Sequence, residues 1–413
     1  MVGILHDPAR HEPLTVAPWD EAAARRAIQA IADDICGRFD PATLWPTHPR
    51  EREEGYELIP QPMLYNGAAG VIWALQRLRD QSAVRVDLDL APIVAGLHAH
   101  SHHCITANES EWPSYFLGHS GVLLLQWRQS RSAAIADQLF ALVEGNLHNK
   151  ALEALWGSPG TLVAALHMLE ANDGTPEASR WHALFRRGID LLWTQMVPVR
   201  HSAYPEREVW IWKQDLSGPP RQYMGGGHGF AGNVFPVVRG ARWLPDDVVA
   251  AFETRAVDAL GVCAKREPGL VHWNPHFDDA TSGFPIKPML QDCHGGPGIV
   301  CRLAGTRSAA LRALLLDAGE LVWQAGPLVK RPGLCRGTDG NGFALLKLHA
   351  ATGETKWLAR ARRFAMHSLK QSDALAAQHG CRVPSLWSGD LGLAIYLQAC
   401  ITAEPALPTL DVF

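Results

Sequence analysis

Two short segments hold the residue types best suited to chemistry, Cys293-His294-Gly295-Gly296 and Cys335-Arg336-Gly337. A thiolate is both a nucleophile and a soft metal ligand, and the positive end of a helix favours it over the thiol. Each cysteine stands two residues before a glycine that opens an apolar, helix-like stretch, so both belong at helix mouths. If the fold brings them together, the pair suits a borderline metal such as zinc. Catalytic zinc takes three protein ligands and keeps one position open. His294 is a third ligand by proximity, although sequence neighbours often point apart. The bland alternative is two unrelated cysteines buried as small hydrophobes.

His228, in GGGHGFAGN, is flanked by glycines at another helix mouth. There it can act as general acid or base near neutral pH; a hydrogen-bonded loop histidine is the plainer expectation. Glu153, in ALEALWGSPG, lies four residues ahead of a similar glycine and faces the same place, unless it is an ordinary solvated glutamate. His272, Trp273, His276, Asp278 and Asp279 mix ligands and aromatics in one loop. That loop lines an entrance, or lends His276 to a metal, or is simply solvated. Lys287, Asp292, Lys213 and Asp215 lie near these segments.

The elements that must position these residues repeat. A Gly-x-x-Gly turn recurs seven times, at Gly67–Gly70, Gly118–Gly121, Gly157–Gly160, Gly229–Gly232, Gly295–Gly298, Gly337–Gly340 and Gly389–Gly392. Each copy opens an apolar stretch of helical character, VIWALQRL after the first and LAIYLQACI after the last. Between copies lie more polar stretches with helical spacing: 20–39, 132–148, 178–196, 247–265, 308–325 and 356–371, with 88–101 weaker. In the first, Ile28, Ile31, Ile35 and Phe39 form one stripe. The unit is an outer amphipathic helix, a loop, the glycine turn and an inner apolar helix. Units that cannot bury a face alone must stack or close. Seven such pairs give an all-α fold and can close into an α/α toroid, with the glycine turns crowded at one end. Any single glycine copy is explained by packing where inner helices converge; the turn also leaves helical N–H groups open to an anion. Valine and threonine do not alternate in runs, so strands are not expected. The long inserts before the fourth and fifth copies, rich in proline, glycine and aromatics, are expected to overhang the ring opening.

The chain of 413 residues is 47% apolar and 19% charged, with a formal net charge of −4. This excludes disorder, and the lack of a concentrated basic field speaks against nucleic-acid or anionic-membrane binding. No apolar run reaches the ~18–20 residues of a membrane span, and MVGILHDPARHEP does not look like a signal peptide. The eight cysteines are expected as reduced thiols in a cytoplasmic protein. With no linker or low-complexity tract, residues 1–413 read as one domain. Residues 1–60 form one helix and an irregular lead-in without a chemical hint, and residues 60–402 carry the repeats.

Taken together, the seven turns, ALEALWGSPG, GGGHGFAGN, DCHGGPGI, CRGTDGNGFALLKL, ARRFAMHS and SLWSGDLGLAIYL resemble the lanthionine synthetase C-like (LanC-like) family, and its bacterial free-standing members above all. The resemblance implies an α/α toroid of seven helix pairs with a catalytic zinc at one end. It implies that Cys293 and Cys335 hold the metal and that His228 is the acid or base, assisted by Glu153. His294 takes a position often held by Tyr or His. The implied reaction is zinc-activated addition of a thiol, from a peptide cysteine or glutathione, to dehydroalanine or dehydrobutyrine, forming a thioether. The thiol and the dehydrated peptide are the implied partners.

The chain departs from the family pattern at three places. Asp292 replaces the tryptophan usual before the first cysteine. The arginine expected shortly before that cysteine has no counterpart; Met289 occupies the vicinity and Lys287 is the nearest cation. Most important, the third zinc ligand, usually histidine, is Arg336. Arginine stays protonated and has no lone pair for a metal. Three readings follow. Zinc is kept with His294 or His276 as substitute. Or zinc is lost and Arg336 steadies a thiolate at Cys335 or Cys293, or pairs with a glutathione carboxylate. Or the protein is a catalytically silent relative that binds a peptide or small molecule in the ring. Arg336, His276 and Lys287 are the expected substrate contacts.

Overall fold

The structure, a computed structural model, describes residues 5–51, 61–104, 113–216 and 218–413. Along the chain, outer and inner helices alternate: α1 (Glu21–Gly37) and α2 (Ala68–Asp80), α3 (Leu90–Cys104) and α4 (His119–Ser130), α5 (Ala133–Gly145) and α6 (Ser158–Ala171), α7 (Pro176–Thr194) and α8 (Phe230–Arg239). The series continues with α9 (Asp246–Cys263) and α10 (Gly296–Leu303), α11 (Ala309–Ala325) and α12 (Thr338–Thr352), then α13 (Thr355–His379) and α14 (Asp390–Thr402).

The two helix classes follow from their sequences. The outer helix α1 buries a stripe, Ala24, Ile28, Ile31, Ala32 and Ile35, and starts where the Asp20 side chain accepts from the Ala23 N–H. Inner helices are buried nearly all round: α6 from Ser158 to Leu169 and α14 from Asp390 to Cys400. A helix apolar on every side needs neighbours on every side, and a closed ring supplies them. Each even-numbered helix packs on the next, α14 returns to α2, and α1 covers α14, so the beginning of the chain seals its end. The all-α toroid of seven pairs is therefore the observed architecture.

The repeated turn has one steric cause. At the second glycine of all seven copies, an added Cβ would lie 2.5 Å or less from the carbonyl oxygen six residues earlier: Leu64, Tyr115, Ala154, Gly226, Asp292, Leu334 and Leu386. The incoming loop lies directly on the first turn of the inner helix, and any side chain there would lift it off. Two of the first glycines, Gly229 and Gly295, also have positive φ, at 122° and 112°.

The inserts hold two short hairpins, where no strands were expected. The one before the fourth copy contains an antiparallel hairpin, β1 (Val197–His201) with β2 (Tyr204–Ile211), and the next contains β3 (Lys265–Glu267) with β4 (Leu270–His272). The signal was short: Val209 and Ile211 alternate into the interior, but each run is too brief to stand out. The end of the chain turns back into the ring. The Tyr115 hydroxyl donates to the Thr409 carbonyl, Lys347 Nζ meets Asp411 at 2.5 Å, and Phe413 packs against Tyr115 and Trp73. Of the irregular lead-in, residues 52–60 lie outside the described residues. Among the described residues no helix is long and apolar enough to cross a membrane.

Candidate functional site

The residues two places before the first glycine of each turn are Tyr65, Phe116, Leu155, Gly227, Cys293, Cys335 and Trp387, and all seven line a single cavity on the toroid axis. Main-chain hydrogen bonds tie neighbours among them: Gly227 N–H to the Cys293 carbonyl (3.3 Å), Cys293 to Cys335 (3.4 Å) and Cys335 to Trp387 (2.9 Å). Trp387 continues to Tyr65 (3.0 Å) and Tyr65 to Phe116 (3.1 Å). This belt brings the two cysteines together, although 42 residues separate them (335 − 293). Leu410, from the returning C-terminal segment, closes the cavity from below.

Both thiols are buried and unbridged. The Gly225-Gly226-Gly227 run lets Cys293 approach: a Cβ on Gly227 would stand 3.0 Å from that of Cys293. The Cys293 sulfur accepts from Gln291 Nε2 at 3.0 Å, and Gln291 Oε1 accepts from Arg10 Nη2 at 2.9 Å. The two thiols adjoin, with the Tyr65 hydroxyl and the Arg336 guanidinium beside Cys335. As acceptor from Cys293, and helped by Tyr65 and Arg336, the Cys335 thiol falls to about 6 despite burial and the nearby Asp292. Cys293, donor in the same bond and buried, is pushed well above its usual value. Asp292 itself is held by a buried two-pronged bond from Arg302, at 3.0 and 2.8 Å.

One place further along in four of the seven repeats stand Trp156, His228 and His294, each half-buried, and Arg336, which is exposed. His228 Nδ1 meets Glu153 Oε2 at 2.8 Å, and Glu153 Oε1 also accepts from the Trp156 N–H at 2.5 Å. Glu153 is fully buried. The carboxylate therefore fixes the His228 ring and directs Nε2 away from itself. His228 stacks on His294 (ring centres 5.1 Å apart), and Tyr223 packs against His294 (4.9 Å) and His276 (4.6 Å). Burial first, then His228, His276 and Arg336, drive the His294 pKa well down, so that ring is neutral. Its Nδ1 is buried without a hydrogen-bond partner.

Zinc with three protein ligands does not fit this donor set. The thiols are two, the adjoining group is a guanidinium, and among the described residues no group of three His, Cys, Asp or Glu is placed to hold a metal. His276 sits one ring further out, stacked on Phe284 (5.1 Å), and Lys287 is exposed with no described link to the thiols. His272 is buried, with its pKa lowered to about 3 by burial first and then by His6, His11 and Lys265. Trp273 is core. Asp278 accepts from the Ser202 N–H and hydroxyl at 3.0 Å each, and Asp279 pairs with Lys265 at 3.2 Å, so these carboxylates brace the hairpins. Lys213 and Asp215 are exposed. Sequence reasoning missed Tyr65, Gln291, Arg302 and Arg10. A signal existed for the first two: Tyr65 shares the register of the cysteines, and Gln291 that of Glu153.

A family model described as "Lanthionine synthetase C-like protein" matches residues 59–412. The chain belongs to this family. Among curated LanC-like relatives, the glutathione S-transferase LANCL1 of Danio rerio is 30% identical over 184 residues, 43% of this chain and 42% of that protein. The LanC-like protein GCL1 of Arabidopsis thaliana is 35% identical over 92 residues, 21% of each chain. The match thus spans less than half the length of either relative. Among solved structures, nisin cyclase superposes with a TM-score of 0.62 at 14% identity, covering 95% of this chain and 96% of that one, a likeness of fold. The register common to the seven turns is where this LanC-like chain carries its candidate groups, Arg336 among them.

Proposed function

We propose that the toroid mouth adds a thiol, from glutathione or a peptide cysteine, across the double bond of a dehydroalanine or dehydrobutyrine residue to form a thioether. The observation that carries this is the 2.8 Å contact between His228 and buried Glu153, beside the cysteine belt and Arg336. Glu153 accepts from Nδ1–H, so Nε2 holds the lone pair and takes the proton of the incoming thiol. The thiolate attacks the β-carbon, a C–S bond forms, and the C=C pair moves onto the α-carbon and its carbonyl as an enolate. His228 then returns the same proton to the α-carbon, so one S–H has been added and nothing is left over. Neutral His294 stacks on the transient imidazolium without repelling it. Arg336, anchored on Cys335, offers a permanent cation to the enolate or to a glutathione carboxylate. His276 lines the approach on the side of Tyr223.

Glutathione and a dehydroalanine peptide, incubated with the protein and read by mass, test this directly. A product heavier by one glutathione, absent with His228→Asn, is the expected result. Metal analysis of protein purified without added zinc runs beside it: zinc lost in Cys293→Ala would make the addition zinc-dependent, as the resemblance implies. A second reading is favoured by the guanidinium at position 336: a silent relative that binds a peptide or small molecule in the ring. Binding without turnover in the native protein, with turnover or zinc binding gained in Arg336→His, would establish that reading instead.

A further inference from the structure

Cys293 and Cys335 are held together at two levels. Their backbones share the 3.4 Å hydrogen bond of the belt, and both side chains line the same cavity. Gly227 lies close against Cys293, and Gln291 Nε2 holds the Cys293 sulfur at 3.0 Å. The group beside them is the Arg336 guanidinium, which steadies a thiolate and ligates no metal. Both thiols face the axial cavity, which admits a molecule about the size of water, under an exposed Arg336. Two thiols joined through their backbones on the wall of one cavity are placed to be oxidised together by a small molecule that enters it.

We propose that Cys293 and Cys335 are a redox pair that closes to a reversible disulfide, with hydrogen peroxide as the class of oxidant. Cys335, beside the Arg336 guanidinium, attacks a peroxide oxygen as its thiolate. The O–O bond breaks, hydroxide leaves and is protonated to water, and Cys335 becomes a sulfenic acid. The Cys293 sulfur, losing its proton, attacks that sulfur. The S–O bond breaks, the S–S bond forms, and a second water leaves. Two thiols and one peroxide become one disulfide and two waters, the two electrons passing from sulfur to peroxide. The step needs no dehydrated peptide, so it stands or falls independently of the thioether reaction.

The full chain, reduced, treated with a chelator and desalted, is exposed to a small excess of hydrogen peroxide. The expected result is loss of two hydrogens from the intact mass and of two alkylatable thiols. One cross-linked peptide pair should contain 293 and 335, and dithiothreitol should reverse the change. Cys293→Ser is expected to give no bridge and a dimedone-trappable sulfenic acid at Cys335. Three results would overturn the proposal: both cysteines still alkylatable after unfolding, Cys335 oxidised further while Cys293 stays free, or chelator-resistant zinc occupying both sulfurs.

Discussion

Replacing Glu153 by Gln changes one atom of the dyad and inverts its logic. In the native site the carboxylate accepts twice, from the Trp156 N–H at 2.5 Å and from His228 Nδ1 at 2.8 Å. A glutamine can keep only one acceptor, and the buried backbone N–H of Trp156 claims it. The amide nitrogen then points a donor at Nδ1, so Nδ1 must accept and the ring proton moves to Nε2. That nitrogen can no longer take a proton from a thiol. Loss of a correctly poised base costs on the order of 10²–10⁴ in rate, about 3–5 kcal/mol of barrier. The weakened charge-assisted bonds cost roughly 1–3 kcal/mol of stability. The assay is the rate of glutathione adduct formation, with nitrogen chemical shifts of the His228 ring as the second readout. The shifts should show Nε2 becoming the protonated nitrogen. A Glu153→Gln protein that keeps the native tautomer, or turns over within threefold of native, would refute the assignment of Glu153 as the group that orients His228.

Arg302→Met should strand the Asp292 carboxylate among apolar neighbours and cost roughly 3–5 kcal/mol by denaturant melt, with Arg302→Met/Asp292→Asn recovering part of it. Asp339 lies fully buried, bound by the Gly333 N–H at 2.6 Å and the Ser368 hydroxyl, and burial first raises its pKa to about 7. Its pKa is higher folded than unfolded, so its contribution is complete below about pH 4 and disappears as pH rises through about 7, at most about 4 kcal/mol. Asp339→Asn should flatten the stability profile across that window and be the more stable protein at pH 8 by thermal melt; an unchanged profile would contradict it.

Much of the fold was legible because its cause is local and repeated. Each inner helix needs a glycine where the loop carbonyl six residues back presses on it, and the same need written seven times is visible as a period. The outer helices show their stripes for the same reason, since one face meets water and the other does not. The two hairpins were not legible, being too short for alternation to stand out. At the site, the register that marked Cys293 and Cys335 equally marks Tyr65 and Trp387, and the one that marked Glu153 marks Gln291. What hid these partners was their ordinary residue type: a tyrosine or glutamine before a glycine carries no chemical flag until its neighbours are known. Arg10 was out of reach altogether, because nothing along the chain links the lead-in to residue 291.

Composition and periodicity determined the helix pairs, their need to stack or close, and the register at which the reactive side chains gather; the resemblance to the LanC-like family implied the closed ring and marked Arg336 as a departure. The helix pairs and the register follow from burial and sterics acting within one repeat. Tertiary structure alone decided which repeats became neighbours across the axis, and so which sulfur met which hydroxyl and which carboxylate held His228. Contacts between residues tens to hundreds of positions apart depend on ring closure and on main-chain bonds from one repeat to the next, which no local pattern encodes.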